Sequence, residues 1–385
     1  MRVIIIGAGS AGAAAAWRLT KAGHEVTVLE QFRADHDRGS SYGESRIIRR
    51  VYPDALYTAL MADAYALWDE LQAETPRWEI YRQSGGIYVG RRDNPLLIAA
   101  EAALKFSGVS YEVLSPADCS RRFPAFPLHA DRNEIALFEP SMGYVRASHA
   151  VCAMLRLALK SGARITEANP VSEISAPDSG VQVKTASGEI FEADRLIIAA
   201  GAWTNNLLAP FGVHLPLTVT RQAYVHLKPK QNSDCWNVGQ FPVWIDADAN
   251  AYGFPRIGED IPGVKIGIHH HGEPTTPEAA RRGVTEDDLS AIRNYAAERF
   301  PWLGPETTYE KVCLYTNTPD EDFIIDRAPG LPNIVIVSAC SGHGFKFAPL
   351  VGEIAARLAT DAPLSYDLSR FRLSRFDSLN SDCAD

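Results

Sequence analysis

The chain has 385 residues, 46% of them hydrophobic, enough for a sizeable core and two domains. Its net charge of −9 argues against a nucleic-acid surface, and no apolar run is long enough to cross a bilayer. The six cysteines (Cys119, Cys152, Cys235, Cys313, Cys340 and Cys383) show neither metal-ligand spacing nor a disulfide framework, as a reducing, cytoplasmic compartment predicts.

The chain opens on Val3–Ile6, an apolar β-branched run that predicts a buried parallel strand and leaves no room for a signal peptide. Gly7, Gly9 and Gly12 follow in G-x-G-x-x-G spacing. Ala11 to Thr20 is Ala-rich and predicts a helix, and His24 to Leu29 predicts a second strand ending on Glu30. Gly7 permits the tight turn, Gly9 lets backbone approach a pyrophosphate, and Gly12 lets helix and strand pack closely. The helix N-terminus offers N–H groups to phosphates, and Glu30 stands where a carboxylate meets a ribose diol. The unit predicts a dinucleotide site without choosing between FAD and NAD.

Residues 31–45 are polar and glycine-rich and predict a loop. Arg46, Arg49 and Arg50 follow at helical spacings, so two of them can share a face. A solvated basic face competes evenly with a binding role, and position after the nucleotide unit favours the latter. Asp54 to Glu74 predicts an amphipathic helix whose stripe Leu56, Leu60, Ala64, Leu67, Leu71 is core.

Further along, 85–90 predicts a strand, 94–106 a helix, 111–114 a strand, and Ser115-Pro116 the start of another helix. After a helix at 147–160, four segments (164–167, 171–175, 181–185, 189–192) predict a β meander. Asp194 to Ala199 returns to a buried run, and the Ala200-Gly201-Ala202-Trp203 turn predicts backbone approaching a cofactor. Segments 215–227 and 242–254 predict sheet strands, Thr285 caps a helix ending at Arg299, and 334–338 and 349–359 predict a last strand and helix. Nucleotide-type segments therefore fall at the start, middle and end of the chain, with strand-rich segments between. The expected fold is α/β, a Rossmann-like dinucleotide domain (1–80 with 144–214 and 315–385) interleaved with a β-sheet-rich α+β substrate domain (81–143 with 215–314).

The last third carries the sharpest chemistry. Gly342 and Gly344 bracket His343 ahead of Phe345-Lys346-Phe347, where a lysine between phenylalanines is either a snorkelling surface residue or a buried cation. Lys265 in GVKIGIHHH is compatible with an outward strand position. His269, His270 and His271 lack a spaced carboxylate or thiol that would complete a metal site.

Six stretches then carry a resemblance: GAGSAG at 7–12, GSSYGESRIIR at 39–49, YGFP at 252–255, VKIGIHH at 264–270, CLYTNTPDEDFIID at 313–326 and SGHGFKF at 341–347. With them the chain resembles the flavin-dependent amine oxidases related to D-amino acid oxidase, and most closely the monomeric sarcosine oxidase and N-methyltryptophan oxidase group. The resemblance implies FAD, bound covalently through a thioether to Cys313, with Cys340 the rival attachment point by position. It implies cofactor contacts from Gly7, Gly9, Gly12, Glu30, Ser40, Ser41, Arg46, Val171, Gly201, Trp203, Gly342, Gly344 and Lys346. It implies a substrate-carboxylate pair in Arg49 and Lys346, a pocket lined by Tyr252, His269 and Tyr315, and an oxygen-activating Lys265. Lys311, close in sequence, is a candidate for lowering the Cys313 pKa. Tyr42 and Arg50 stand where this group carries histidines, which questions sarcosine itself. The implied reaction is oxidation of a secondary or N-methylated amino acid to an imine with O2 reduced to H2O2, by a monomer without nucleic-acid or membrane partners. Oxidation of a cyclic or primary amino acid, a flavin dehydrogenase and a non-catalytic nucleotide-binding protein are the alternatives.

Overall fold

The computed structural model describes residues 1–231, 233–258, 261–269 and 272–377. His270, His271, Cys383 and the C-terminal residues lie outside them.

The first strand, Arg2–Ile6, is the centre of a six-stranded sheet. Its four residues Val3 to Ile6 are buried, as expected of a strand covered on both faces. It pairs in parallel with Glu25–Leu29 on one side and Arg195–Ile198 on the other. Leu331–Ser338 extends the sheet in parallel, and Ile324–Ala328 closes that edge antiparallel. Arg164–Thr166 forms the opposite edge, beside Glu25–Leu29. This last pairing corrects the four-stranded meander. Only Val171–Ser175, Val181–Thr185 and Ile190–Ala193 form one, and the segment ahead of them joins the large sheet.

Helix Ser10–Lys21 packs on this sheet through a face of alanines, which lets the helices Ala147–Lys160 and Ala348–Ala359 come close. Gly7 takes φ +102°, and a Cβ on Gly12 would fall 1.9 Å from the Gly7 carbonyl oxygen. The strand-to-helix turn is therefore closed to any side chain at both places.

The second sheet has eight strands in the spatial order 303–317, 218–229, 264–268, 251–254, 243–246, 86–91, 134–139, 112–114. Helix Glu286–Arg299, with the capping box Thr285/Asp288, covers one face. Beneath it Arg299 pairs with Glu134 at 2.7 Å and Asp246 at 2.7 Å, all three buried. The segment 242–254 is a hairpin of Val243–Asp246 and Ala251–Phe254.

Arg46 lies in a strand, Arg46–Ile48, not in a helix. It pairs with Gly143–Val145, which also pairs with Tyr81–Gln83. The β-branched pair Ile47-Ile48 outweighs the helical spacing of the arginines. Arg49 and Arg50 accordingly point apart: Arg49 lies over the Tyr52 ring at 4.1 Å, and Arg50 over Tyr65 at 5.2 Å.

Candidate active site

A cavity of about 1290 Å³ runs between the two large sheets. It exceeds the ~300–1,000 Å³ of ordinary ligand pockets and has room for a dinucleotide together with a small substrate. Gly7, Gly9, Glu30, Ser40, Ser41, Val171, Gly201 and Trp203 line it, while Gly12 stands behind as a packing residue. The helix starting at Ser10 presents its N-terminus to the cavity with Gly9 as N-cap, no side-chain cap and no acidic residue in its first turn. That end suits phosphate. Glu30 is 3% exposed. One carboxylate oxygen accepts from Ala8 N at 2.8 Å and the other from Phe32 N at 2.9 Å. Each oxygen retains a lone pair for a ribose hydroxyl. His36 Nε2 stands 3.6 Å from Glu30, and burial lowers its pKa. These residues fit FAD.

At the other end Arg49 and Lys346 converge on one tyrosine. The Arg49 guanidinium covers the Tyr52 ring, and Lys346 Nζ donates to the Tyr52 hydroxyl at 2.8 Å and to the His343 carbonyl at 2.6 Å. Lys346 is 5% exposed, so it is not the snorkelling surface lysine. Burial, then Arg49, hold its pKa well below the usual lysine range. A guanidinium and an amine share this buried end of the cavity, a pairing whose chemistry suits an anion.

Lys265 is 3% exposed. Its Nζ donates to the Ser45 carbonyl at 3.0 Å and hydroxyl at 3.2 Å, and lies 4.0 Å from the Tyr224 ring centroid and 4.9 Å from that of Phe254. Burial, then Arg46, depress its pKa strongly. Arg46 itself donates to the carbonyls of Ser40, Tyr42 and Ser45, each at 2.8 Å, and so folds the glycine-rich loop around its guanidinium.

From Lys311 onward the strand Leu303–Asn317 alternates in burial: Val312, Leu314 and Thr316 are buried and Lys311, Cys313 and Tyr315 half-buried, and all of these except Leu314 border the cavity. Burial raises the Cys313 pKa, and Arg46 and Lys265 oppose it. Lys311 shares the Cys313 face but is committed to Asp37 at 2.6 Å, so the cations acting on the thiol are Arg46 and Lys265 instead. Cys340 also lines the cavity, its sulfur 3.4 Å from Thr316 N.

Tyr252, Tyr315 and His269 line the same space, with the Tyr315 hydroxyl 3.2 Å from His269 Nδ1. Gly342 and Gly344 border it too. Tyr42 and Arg50 are not among the lining residues. The Tyr42 ring packs against Lys311 at 5.4 Å, and the Arg50 N–H binds buried Glu139. Sequence reasoning missed Tyr52, Ser45, Tyr224 and Phe254, which hold the two lysines. An aromatic three residues after Arg49 was the available signal for Tyr52.

The FAD-dependent oxidoreductase family DAO matches residues 2–358. The chain is 37% identical over 383 residues to peroxisomal sarcosine oxidase of Mus musculus, covering 98% of this chain and 96% of that one. It is 34% identical over 384 residues to N-methyl-L-tryptophan oxidase of Salmonella newport, covering 97% and 98%. Among solved structures it superposes on NikD, described as an unusual amino acid oxidase, with TM-score 0.85, 25% identity and 96% of each chain covered.

Proposed function

The chain belongs to the DAO family of FAD-dependent oxidoreductases, and from that premise we propose that it oxidises a secondary or N-methylated amino acid to its imine. The observation that carries the reading is the convergence of Arg49 and Lys346 on Tyr52 at the end of the cavity remote from the nucleotide cradle. FAD, when bound, supplies the acceptor for a hydride equivalent and passes the electrons to O2, giving H2O2. Glu30 holds the ribose end, and the helix N-terminus at Ser10 receives the pyrophosphate. Arg49 and Lys346 take the substrate carboxylate and thereby fix the amine end. Tyr252, Tyr315 and His269 wall the pocket and limit water. Lys265 offers a proton and positive charge where an oxygen anion develops. Cys313 is the point of thioether attachment, supported by its place on the cavity face beside Arg46 and Lys265.

The same reading divides the chain into 1–80, 144–214 and 315–385 for the cofactor and 81–143 and 215–314 for the substrate. It describes a cytoplasmic monomer, in keeping with the scattered cysteines. Anaerobic mixing with N-methyl, cyclic and primary amino acids tests it: an N-methylated member is expected to bleach the flavin fastest. Arg49→Ala and Lys346→Ala are expected to raise KM by a factor equivalent to about 2–5 kcal/mol with flavin content unchanged. Wild-type KM in both variants removes the clamp.

A further inference from the structure

The cavity lining also includes Asp54, Tyr57, Asp320, Asp322 and Arg370, an outer lobe, so called because Asp320 and the adjoining Glu321 are solvent-exposed. Two side chains join Lys346 to it. Lys346 Nζ is 2.8 Å from the Tyr52 hydroxyl, that hydroxyl is 3.2 Å from His343 Nδ1, and His343 Nε2 is 3.0 Å from the Glu321 carbonyl oxygen. A carbonyl only accepts, so with Lys346 charged the assignment that satisfies these three contacts puts the ring hydrogen on Nε2. Nδ1 then accepts from Tyr52, and Tyr52 accepts from Lys346. The three contacts point one way, from the clamp outward. Tyr52 is 5% exposed, whereas His343 is half-buried and lines the lobe.

We propose that Tyr52 and His343 form a proton relay, through which Lys346 gains a proton from the outer lobe when a carboxylate enters the clamp and returns it when the carboxylate leaves. The inference rests on the reading of Arg49 and Lys346 as that clamp. Empty, the clamp opposes a charge on Lys346 through burial and through Arg49; a carboxylate between them reverses the balance. The bound substrate occupies the inner cavity, so the outer lobe is the side from which a proton can come. On release, the ammonium passes a proton to the Tyr52 oxygen as the Tyr52 proton passes to Nδ1, and the imidazolium gives one proton to water in the lobe. Uptake is the reverse and starts from the ring that release leaves behind, with its hydrogen on Nδ1, so that Nδ1 donates to Tyr52 and Tyr52 to the neutral Lys346 amine. One proton moves and no electrons do.

The surroundings suit a ring that is charged in passing. His343 stacks on Phe323 at 4.8 Å and meets Tyr57 edge-on at 5.0 Å. The Tyr57 hydroxyl donates to Asp322 at 2.8 Å, Asp322 pairs with Arg370 at 2.6 Å, and Arg370 pairs with Asp54 at 2.5 Å. Glu321 adjoins the ring through its carbonyl, and Arg49 covers Tyr52. Asp54, Asp320, Glu321 and Asp322 outnumber the two arginines that face them, Arg370 and Arg375, the latter paired with Asp320 at 2.7 Å, which favours the arrival of protons.

The test mixes the flavin-loaded enzyme with acetate in weak buffer containing a pH-indicator dye, in a stopped-flow instrument. Flavin absorbance reports acetate binding and the dye reports protons. Roughly one proton taken up per acetate bound is expected. Tyr52→Phe and His343→Gln are each expected to slow that uptake about tenfold or more, with a much smaller change in acetate affinity. Acetate that binds without proton uptake overturns the relay alone, as does uptake at the wild-type rate in both variants. Acetate binding that is indifferent to Lys346→Met removes the clamp, and the relay with it.

Discussion

Lys265 and Lys346 are buried in one cavity, and each is held below the usual lysine range by burial first and an arginine second. Such a side chain is a reserve of charge. It protonates when an anion arrives and costs least when none is there. The proposed anion is the substrate carboxylate for Lys346 and reduced oxygen for Lys265. Lys265→Met is therefore expected to slow flavin reoxidation far more than substrate-driven reduction; stopped-flow traces showing the opposite split would make Lys265 a substrate residue. His226, the cross-strand partner of Lys265, carries a different load. Burial, then Lys265, lower its pKa to about 3. The folded ring stays neutral while the unfolded one protonates near 6.5. The unfolded chain thus binds the extra proton between these values, and stability falls as pH drops from 6.5 toward 3, by up to about 1.4 kcal/mol per pH unit. His226→Gln is expected to flatten that decline, measured as denaturant midpoints at pH 7 and pH 5. An unchanged slope would assign the acid sensitivity elsewhere. Nothing in the sequence marked His226, because its effect comes from the burial and the neighbouring Lys265 that only the fold supplies.

At the scale of elements, what was legible followed local rules. The opening strand, turn and helix were readable because glycines, alanines and β-branched residues each dictate a backbone shape there. The helices after Ser115 and Thr285 were readable from their caps and the one after Asp54 from its apolar stripe; Asp54 and Asn94 cap their first turns as well. What was not legible depended on partners. Arg46–Ile48 is a strand because Gly143–Val145 lies beside it, and Arg164–Thr166 leaves the meander because the edge of the larger sheet is free to take it. The strand Leu303–Asn317 shows both cases. Its alternation is simple, yet which face meets the cavity was set by its pairing with Thr218–Pro229. Both thiols line the cavity, and the proposed attachment at Cys313 leans on that face. Cys313 sits on it within reach of Arg46 and Lys265, whereas Cys340 lies on the loop beyond Leu331–Ser338 with its sulfur toward Thr316 N. Acid-denatured protein is expected to keep its yellow colour, with the flavin mapping to a peptide containing Cys313 by mass spectrometry, and Cys313→Ala to release FAD on denaturation. A label on Cys340 would reverse the assignment.

For the whole molecule, the order of strands in space departs from their order along the chain. The first strand lies between a neighbour that follows at once and one, Arg195–Ile198, from mid-chain, and that one in turn needs Leu331–Ser338. During synthesis at roughly 5–20 residues per second, the opening turn therefore waits on the order of tens of seconds before its sheet can close. The cradle emerges from the ribosome first and becomes usable last. Chains held on the ribosome short of Ile324 are expected to bind no FAD and to be cut readily by protease, whereas released full-length chains resist both losses. Flavin retained by the stalled chains would mean that the opening strand, turn and helix suffice alone. Otherwise the supply of cofactor is read only by finished polypeptide, and a cell short of flavin accumulates complete but open chains, rather than stalled ones, as the material its proteases remove.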